Sequence, residues 1–374
     1  MIYLDYAATT PLDERVLDAM LPFLREHHGN PSSLHASGRR SRRAVEEARE
    51  QVAAALGAKP KEITFTSGAT EAANQAIRAF AASYPGCHII TSQLEHAATL
   101  ETCRYLETLG YQVAYLVPTE TGEITATQVE AALREDTRCV ALMRVNNETG
   151  VRTDISAVRA VLPEGIPLFC DAVQALGFEP VDVNELGADA LSVSGHKVYG
   201  PKGVGVLYVR EGLQVSPLLL GGQQERGLRA GTHNTPAIVG MGEAAALAAE
   251  AAKDTRTLEE LRDGLERRLL QIEGVHVNGL GAPRGPKHSN VRVADVDGET
   301  LLHLLDTLGV QVSAGSACAA GSLEPSHVLL AMGLSREEAR ASLRFSLGKG
   351  VSADMLAEAV SRVEEAVERC RVVA

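Results

Sequence analysis

Short apolar runs separated by helix-patterned stretches recur through most of this chain, and that alternation restricts the fold more than any other feature. The runs lie at residues 62–66, 87–91, 113–117, 139–145, 166–170, 190–193 and 204–209. Between them the apolar spacing is helical: Val45, Ala48, Val52 and Leu56 form one stripe that Gly57 ends, and Gly68-Ala69-Thr70 opens a helix to about residue 83. Strands separated by helices predict an α/β unit with a largely parallel sheet. From 236 to 272 the pattern is almost continuously helical, with Leu258, Leu261, Leu265 and Leu269 on one stripe. After Gly274 short strands and helices mix, and a last helix starts near residue 353, so a boundary is expected near residue 250.

A chain of 374 residues suggests about two to three domains. Apolar residues make up 45% and exclude global disorder, but aromatics are only 4%, so small aliphatics must fill the core. With 36 basic against 48 acidic side chains the net charge is −12, which disfavours general nucleic-acid binding. The run Arg39-Arg40-Ser41-Arg42-Arg43 stands out against that charge. It reads first as a solvated helical face, with an acidic partner or RNA as the other use. His27-His28 reads as exposed loop. The start of the chain lacks the pattern of a signal peptide, and no window reaches the ~18 apolar residues of a membrane span. Cysteines at 87, 103, 139, 170, 318 and 370 form no C-x-x-C pair and no zinc-like pattern with histidine. We therefore expect a cytoplasmic, reducing location and no metal.

Lysine is scarce, with seven in the chain. Lys59, Lys61, Lys253 and Lys287 are expected to be exposed, Lys202 falls in a turn, and Lys349 lies between glycines. Lys197 alone ends an apolar strand, in Ser194-Gly195-His196-Lys197. A desolvated amine beside a cationic neighbour is nucleophilic enough for a Schiff base. The plainer reading is a turn lysine bonded to carbonyls. A pyridoxal phosphate partner for it would need a phosphate cradle, an anion for the ring nitrogen and a stacking group. Gly68-Ala69-Thr70 at a strand-to-helix junction offers the first. Asp171 at a strand's carboxyl end offers the second, and His96 the third.

Together these segments resemble the cysteine desulfurases of the class V aminotransferase superfamily, almost end to end. The similarity runs through Tyr3-Leu4-Asp5-Tyr6-Ala7-Ala8-Thr9-Thr10-Pro11, Thr66-Ser67-Gly68-Ala69-Thr70-Glu71, Glu95-His96 and Asn146-Asn147-Glu148-Thr149-Gly150. It continues in Asp171-Ala172-Val173-Gln174, the Lys197 segment, Arg229-Ala230-Gly231-Thr232, Ser313-Ala314-Gly315-Ser316-Ala317-Cys318 and Leu343-Arg344-Phe345-Ser346. The resemblance implies a fold-type I pyridoxal-phosphate enzyme, with a large cofactor-binding domain at 13–250. A smaller α+β domain would comprise 1–12 and 251–374.

It also implies roles. Lys197 would carry the cofactor and remove the substrate Cα proton, and Asp171 would pair with the ring nitrogen. Gln174 and Asn147 would flank the ring hydroxyl and the substrate, and His96 would stack on the ring and help proton transfer. Thr70 with the Ala69 backbone, Ser194 and His196 would hold the phosphate. Thr232 would reach the phosphate of a neighbouring subunit, which implies a homodimer. Arg344 would clamp the substrate carboxylate, for which a planar fork suits better than an ammonium.

Cys318 sets the subfamily. Residues 314–322 contain nothing bulky or charged, so a thiol there could travel at low steric cost. The segment resembles the longer-loop branch of the desulfurases, which attack the substrate sulfur and pass a persulfide to external acceptors. The expected activity is L-cysteine to L-alanine, with sulfur left on Cys318. The acceptor would belong to iron–sulfur cluster assembly, tRNA thiolation or cofactor thiolation. Rival readings are a selenocysteine lyase or another class V aminotransferase, neither of which needs Cys318, and a non-catalytic sulfur-carrier homologue. Two departures from the family stand out. Phe169 takes the place of a frequent histidine, and the chain ends at Ala374 without the tail with which relatives contact an iron–sulfur scaffold. Scaffold binding is then either missing or uses another surface.

Overall fold

A computed structural model describes residues 1–314 and 324–373. Seven strands form the main sheet in the order Ile63–Thr66, Gly205–Val209, Ala190–Ser194, Leu168–Asp171, Thr137–Met143, His88–Ser92, Gln112–Leu116. All neighbours pair in parallel except Gly205–Val209, which runs antiparallel to both of its neighbours. Ten residues, 195–204, separate it from the preceding strand, too few for a helical crossover, so the chain turns back.

Successive residues of a strand face opposite sides of the sheet, and both sides are covered. Val45, Ala48 and Val52 of helix Ala36–Ala55 and Met241, Ala244 and Ala248 of helix Thr235–Ala251 bury one face with Leu168 and Cys170. Ala72, Ala73, Ala76 and Phe80 of helix Ala69–Ala82 bury the other with Phe169, Ala141 and Leu207. Alanine-rich faces let helices and sheet approach closely, which is how a chain without tryptophan fills its core.

A second core gathers Ile2, Leu4 and Tyr6 with Leu265, Leu269, Val291, Leu301, Leu343, Phe345 and Val363. Its antiparallel sheet has the order Ser313–Ala314, Ser342–Ser346, His288–Val293, Val275–Val277. The first strand, Ile2–Tyr3, pairs in parallel with Val310–Gln311, so the N-terminus belongs to this core. Val328, Leu329, Met332 and Ala339 pack instead against the larger core. The long helical pattern breaks at residues 252–255 into Thr235–Ala251 and Arg256–Leu269, where the Asp254 carboxylate accepts from the Arg256 amide at 3.2 Å. No helix among the described residues is long and apolar enough to cross a membrane.

Candidate active site

Three strands and the N-terminal segment converge on one place. The Ala190–Ser194 strand ends in a tight turn, Gly195–Lys197. A Cβ on Gly195 would lie 2.8 Å from the Pro201 carbonyl, so the turn requires glycine. The segment 7–10 locks it: the Thr10 amide and hydroxyl both donate to the His196 carbonyl, at 2.9 and 3.0 Å, and the Tyr199 amide donates to the Thr10 hydroxyl at 2.7 Å. Lys197 Nζ donates to the carbonyls of Ala7 and Ala8 at 2.6 and 2.8 Å. The amine of the larger core is thus held by chain from the smaller one.

Asp171 closes the strand Leu168–Asp171, buried, with one carboxylate oxygen accepting from the Val173 amide at 3.0 Å. Burial raises its pKa, and the charges of His96 and Lys197 oppose that rise. A carboxylate so placed calls for a cation, which a protonated pyridine nitrogen would provide. Gln174 donates to the Ala7 carbonyl at 3.0 Å, while its Oε1 is buried with no partner among the described residues, an acceptor waiting for a donor. His96 caps helix Ala97–Thr108, its Nδ1 accepting from the Ala98 amide at 3.1 Å.

Gly68 heads helix Ala69–Ala82 without a side-chain cap, so first-turn N–H groups at Ala69 and Thr70 stay available to an anion. Ser194 lies buried at the neighbouring strand end, and His196 Nδ1 is 3.2 Å from the Thr9 hydroxyl. Burial and the charges of Lys197 and Lys202 push the His196 pKa down to about 4, so its ring is neutral. Thr70 and Thr232 are both exposed. This donor set fits pyridoxal phosphate: an uncapped helix start, an amine, a buried carboxylate and an orphaned amide oxygen.

Arg344 is 1% exposed on the strand Ser342–Ser346. It donates to Asp5 Oδ1 at 2.7 Å and to the Asn147 carbonyl at 3.0 Å, while its Nε is buried without a partner among the described residues. Asn147 and Arg344, 197 residues apart, are therefore joined. Cys318 lies outside the described residues. The other five cysteines are free and buried, and burial raises each thiol, that of Cys103 to about 12.

Two groups escaped sequence reasoning and one expectation fails. Glu95 is 1% exposed, with the Ser92 hydroxyl donating to Oε1 at 2.7 Å. Burial, helped by the charge of Asp171, raises its pKa to about 8. Its only sequence signal is its place before His96. Asp5, the partner of Arg344, was visible only as part of the N-terminal motif. Lys287, expected to be exposed, is fully buried, its Nζ 3.6 Å from the centroid of the Phe178 ring. Its polar neighbours in sequence hide a strand start, His288–Val293, whose Val291 and Val293 pack in the second core. Among the described residues no cluster of His, Cys, Asp or Glu could hold a metal ion. Arg39, Arg40, Arg42 and Arg43 are exposed on helix Ala36–Ala55, with the Arg42 guanidinium donating to the Pro31 carbonyl at 2.8 Å.

A sheet of this topology with a lysine, an aspartate and a helix start at one end defines a pyridoxal-phosphate enzyme of fold type I. The class V aminotransferase family model matches residues 2–355, and the chain belongs to that family. Within it the chain stands among the cysteine desulfurases. Cysteine desulfurase IscS of Dictyoglomus turgidum is 48% identical, over 100% of this chain and 96% of its own. Cysteine desulfurase IscS of Methanosarcina thermophila is 45% identical, over 99% and 93%. The solved structure of a NifS-like protein is 36% identical and superposes with a TM-score of 0.92 over 98% of this chain and 99% of that one. SspA in complex with cysteine is 38% identical, with a TM-score of 0.84 over 93% and 99%.

Proposed function

We propose that this chain removes sulfur from L-cysteine, releases L-alanine and holds the sulfur as a persulfide on Cys318. The observation that carries the reading is Lys197, beside a buried Asp171 and an uncapped helix start, in a chain 48% identical to a cysteine desulfurase along its length. Pyridoxal phosphate, when bound, supplies an electron sink for the pair released at the substrate Cα. Ala69, Thr70, Ser194 and His196 would hold its phosphate, with Thr232 contributed across a homodimer. Asp171 would keep a proton on the ring nitrogen, Gln174 and Asn147 would lie by the ring hydroxyl, and His96 would stack on the ring. Arg344 orients the substrate carboxylate with help from Asn147. Lys197 takes the Cα proton. The Cys318 thiolate attacks the substrate sulfur: an S–S bond forms as the C–S bond breaks, the C–S electron pair stays with the β-carbon, and a proton taken up there makes the methyl group of alanine. The burial of the other five cysteines, which raises each thiol, supports Cys318 as the nucleophile.

The division into 13–250 against 1–12 with 251–374 belongs to the same reading, supported by the two cores. Residues 324–341 form an arm of the smaller part that leans on the larger core. The five unpaired thiols support a reducing, cytoplasmic setting. The persulfide would pass to an acceptor protein, an iron–sulfur scaffold or a thiolation enzyme. Turnover of L-cysteine with alanine and sulfide measured together, under a thiol reductant, tests the reading. Equimolar alanine and sulfide are expected. A keto acid in place of alanine, or turnover of selenocysteine alone, would overturn it.

A further inference from the structure

Glu225 is 4% exposed and touches none of the groups assigned above. It lies in the turn Gln224–Gly227, where Glu225 and Arg226 have φ of 47° and 58°, a left-handed pair without glycine. Such a backbone persists only where its surroundings hold it. Both carboxylate oxygens are fully used. Oε2 accepts from Arg49 Nη1 at 2.7 Å and from the Phe65 amide at 2.9 Å. Oε1 accepts from Arg49 Nη2 at 2.9 Å and from His233 Nε2 at 2.7 Å. Burial works against this charge, yet the hydrogen bonds of Arg49 and His233 hold the pKa down at about 2.

The four bonds reach three separate parts of the fold. Arg49 sits in helix Ala36–Ala55 and also donates to the Ile63 carbonyl at 2.9 Å. Phe65 belongs to the strand that runs into Gly68 and the first turn at Ala69 and Thr70. His233 directly follows Thr232. A second tie runs in parallel: Glu71 accepts from the Ser67 amide at 2.8 Å and from Arg229 Nε at 3.0 Å. The Gln224 side chain accepts from the Gly231 amide at 3.1 Å. The helix start and the Thr232 segment are thus registered against each other through two carboxylates, Glu225 at the centre and Glu71 beside it.

We propose that Glu225 is a positioning residue for the cofactor phosphate, fixing the spacing between the Ala69–Thr70 helix start and Thr232. In a two-fold dimer the same link would tie one protomer's own cradle to the threonine it lends its partner, so the two sites would be set by one device. The inference rests on the pyridoxal-phosphate reading. It is tested by titrating the full-length apoprotein with pyridoxal phosphate and following the visible absorbance band. Glu225→Gln keeps the shape but puts an NH2 against Arg49 or His233. Affinity is expected to fall by about tenfold to a hundredfold, as when a positioning shell is lost. Thr232→Ala should weaken binding as well, and the double variant should be less than additive because Glu225 acts through the threonine. Unchanged affinity in Glu225→Gln, or full additivity, overturns the proposal. Failure of the unsubstituted protein to bind overturns the cofactor reading instead. If Glu225→Gln does not fold, His233→Ala removes one bond at the edge of the cluster. A several-fold loss of affinity there supports the proposal, and none overturns it.

Discussion

At the scale of single residues, the most informative departure from sequence expectation is Lys287. Among the described residues its ammonium would have only the face of Phe178 for company, worth about 2 kcal/mol when desolvated, against several for burying the ion. Burial, then the charges of Lys197 and Arg344, push its pKa well below the lysine range. Between that lowered value and the ~10.4 of the unfolded chain, the unfolded state binds the extra proton. Stability therefore rises with pH across this window, by up to about 1.4 kcal/mol per unit from this one group. Lys287→Met should melt higher than the unsubstituted protein at neutral pH, with the advantage shrinking toward pH ~10. A lower melting temperature at every pH would show that the amine stabilises the interior. Lys197 and Asp171 were legible because each ends an apolar run. Asp5 and Glu225 were not, because their partners Arg344 and Arg49 are 339 and 176 residues away. Nothing local marks such a carboxylate as buried.

At the scale of elements, the strands lie within a few residues of their apolar runs, and errors fall where chain direction or a break had to be judged. The antiparallel strand Gly205–Val209 follows from the length of its connection, which a reading of periodicity alone does not weigh. The break at 252–255 carries neither proline nor glycine, only Asp254 and Thr255, residues that favour helix starts. One glycine shows how closely strand and cradle are fitted. A Cβ on Gly205 would lie 2.6 Å from the Cα of Gly68 and 2.8 Å from the Val193 carbonyl, so only glycine passes there. Gly205→Ala should destabilise the protein by about 1–3 kcal/mol and weaken pyridoxal phosphate binding with it, because Gly68 heads the helix proposed to hold the phosphate. Thermal melts and a cofactor titration check both parts. Lost stability with unchanged affinity would separate the strand from the cradle.

At the scale of the whole molecule, two cores share one site, with the N-terminal segment of the smaller core holding Lys197 of the larger. The homodimer proposal adds a second kind of sharing. Mixing Lys197→Ala subunits with Thr232→Ala subunits should restore part of the activity, since one site of each mixed pair would have its own lysine and a partner threonine. Mixtures no more active than their components would place Thr232 outside the partner's site. The family resemblance made this overall plan readable, because its motifs are spread in order along the chain. The pairings across the two cores had to come from the structure. The central claim is sulfur transfer to Cys318, and the mass of its peptide after exposure to L-cysteine, before any reductant, tests it most directly. One added sulfur is expected on the peptide bearing Cys318. Cys318→Ala is expected to bind L-cysteine yet lose alanine and sulfide formation by orders of magnitude. Added sulfur on Cys87, Cys103, Cys139, Cys170 or Cys370 instead, or full turnover in Cys318→Ala, would contradict it.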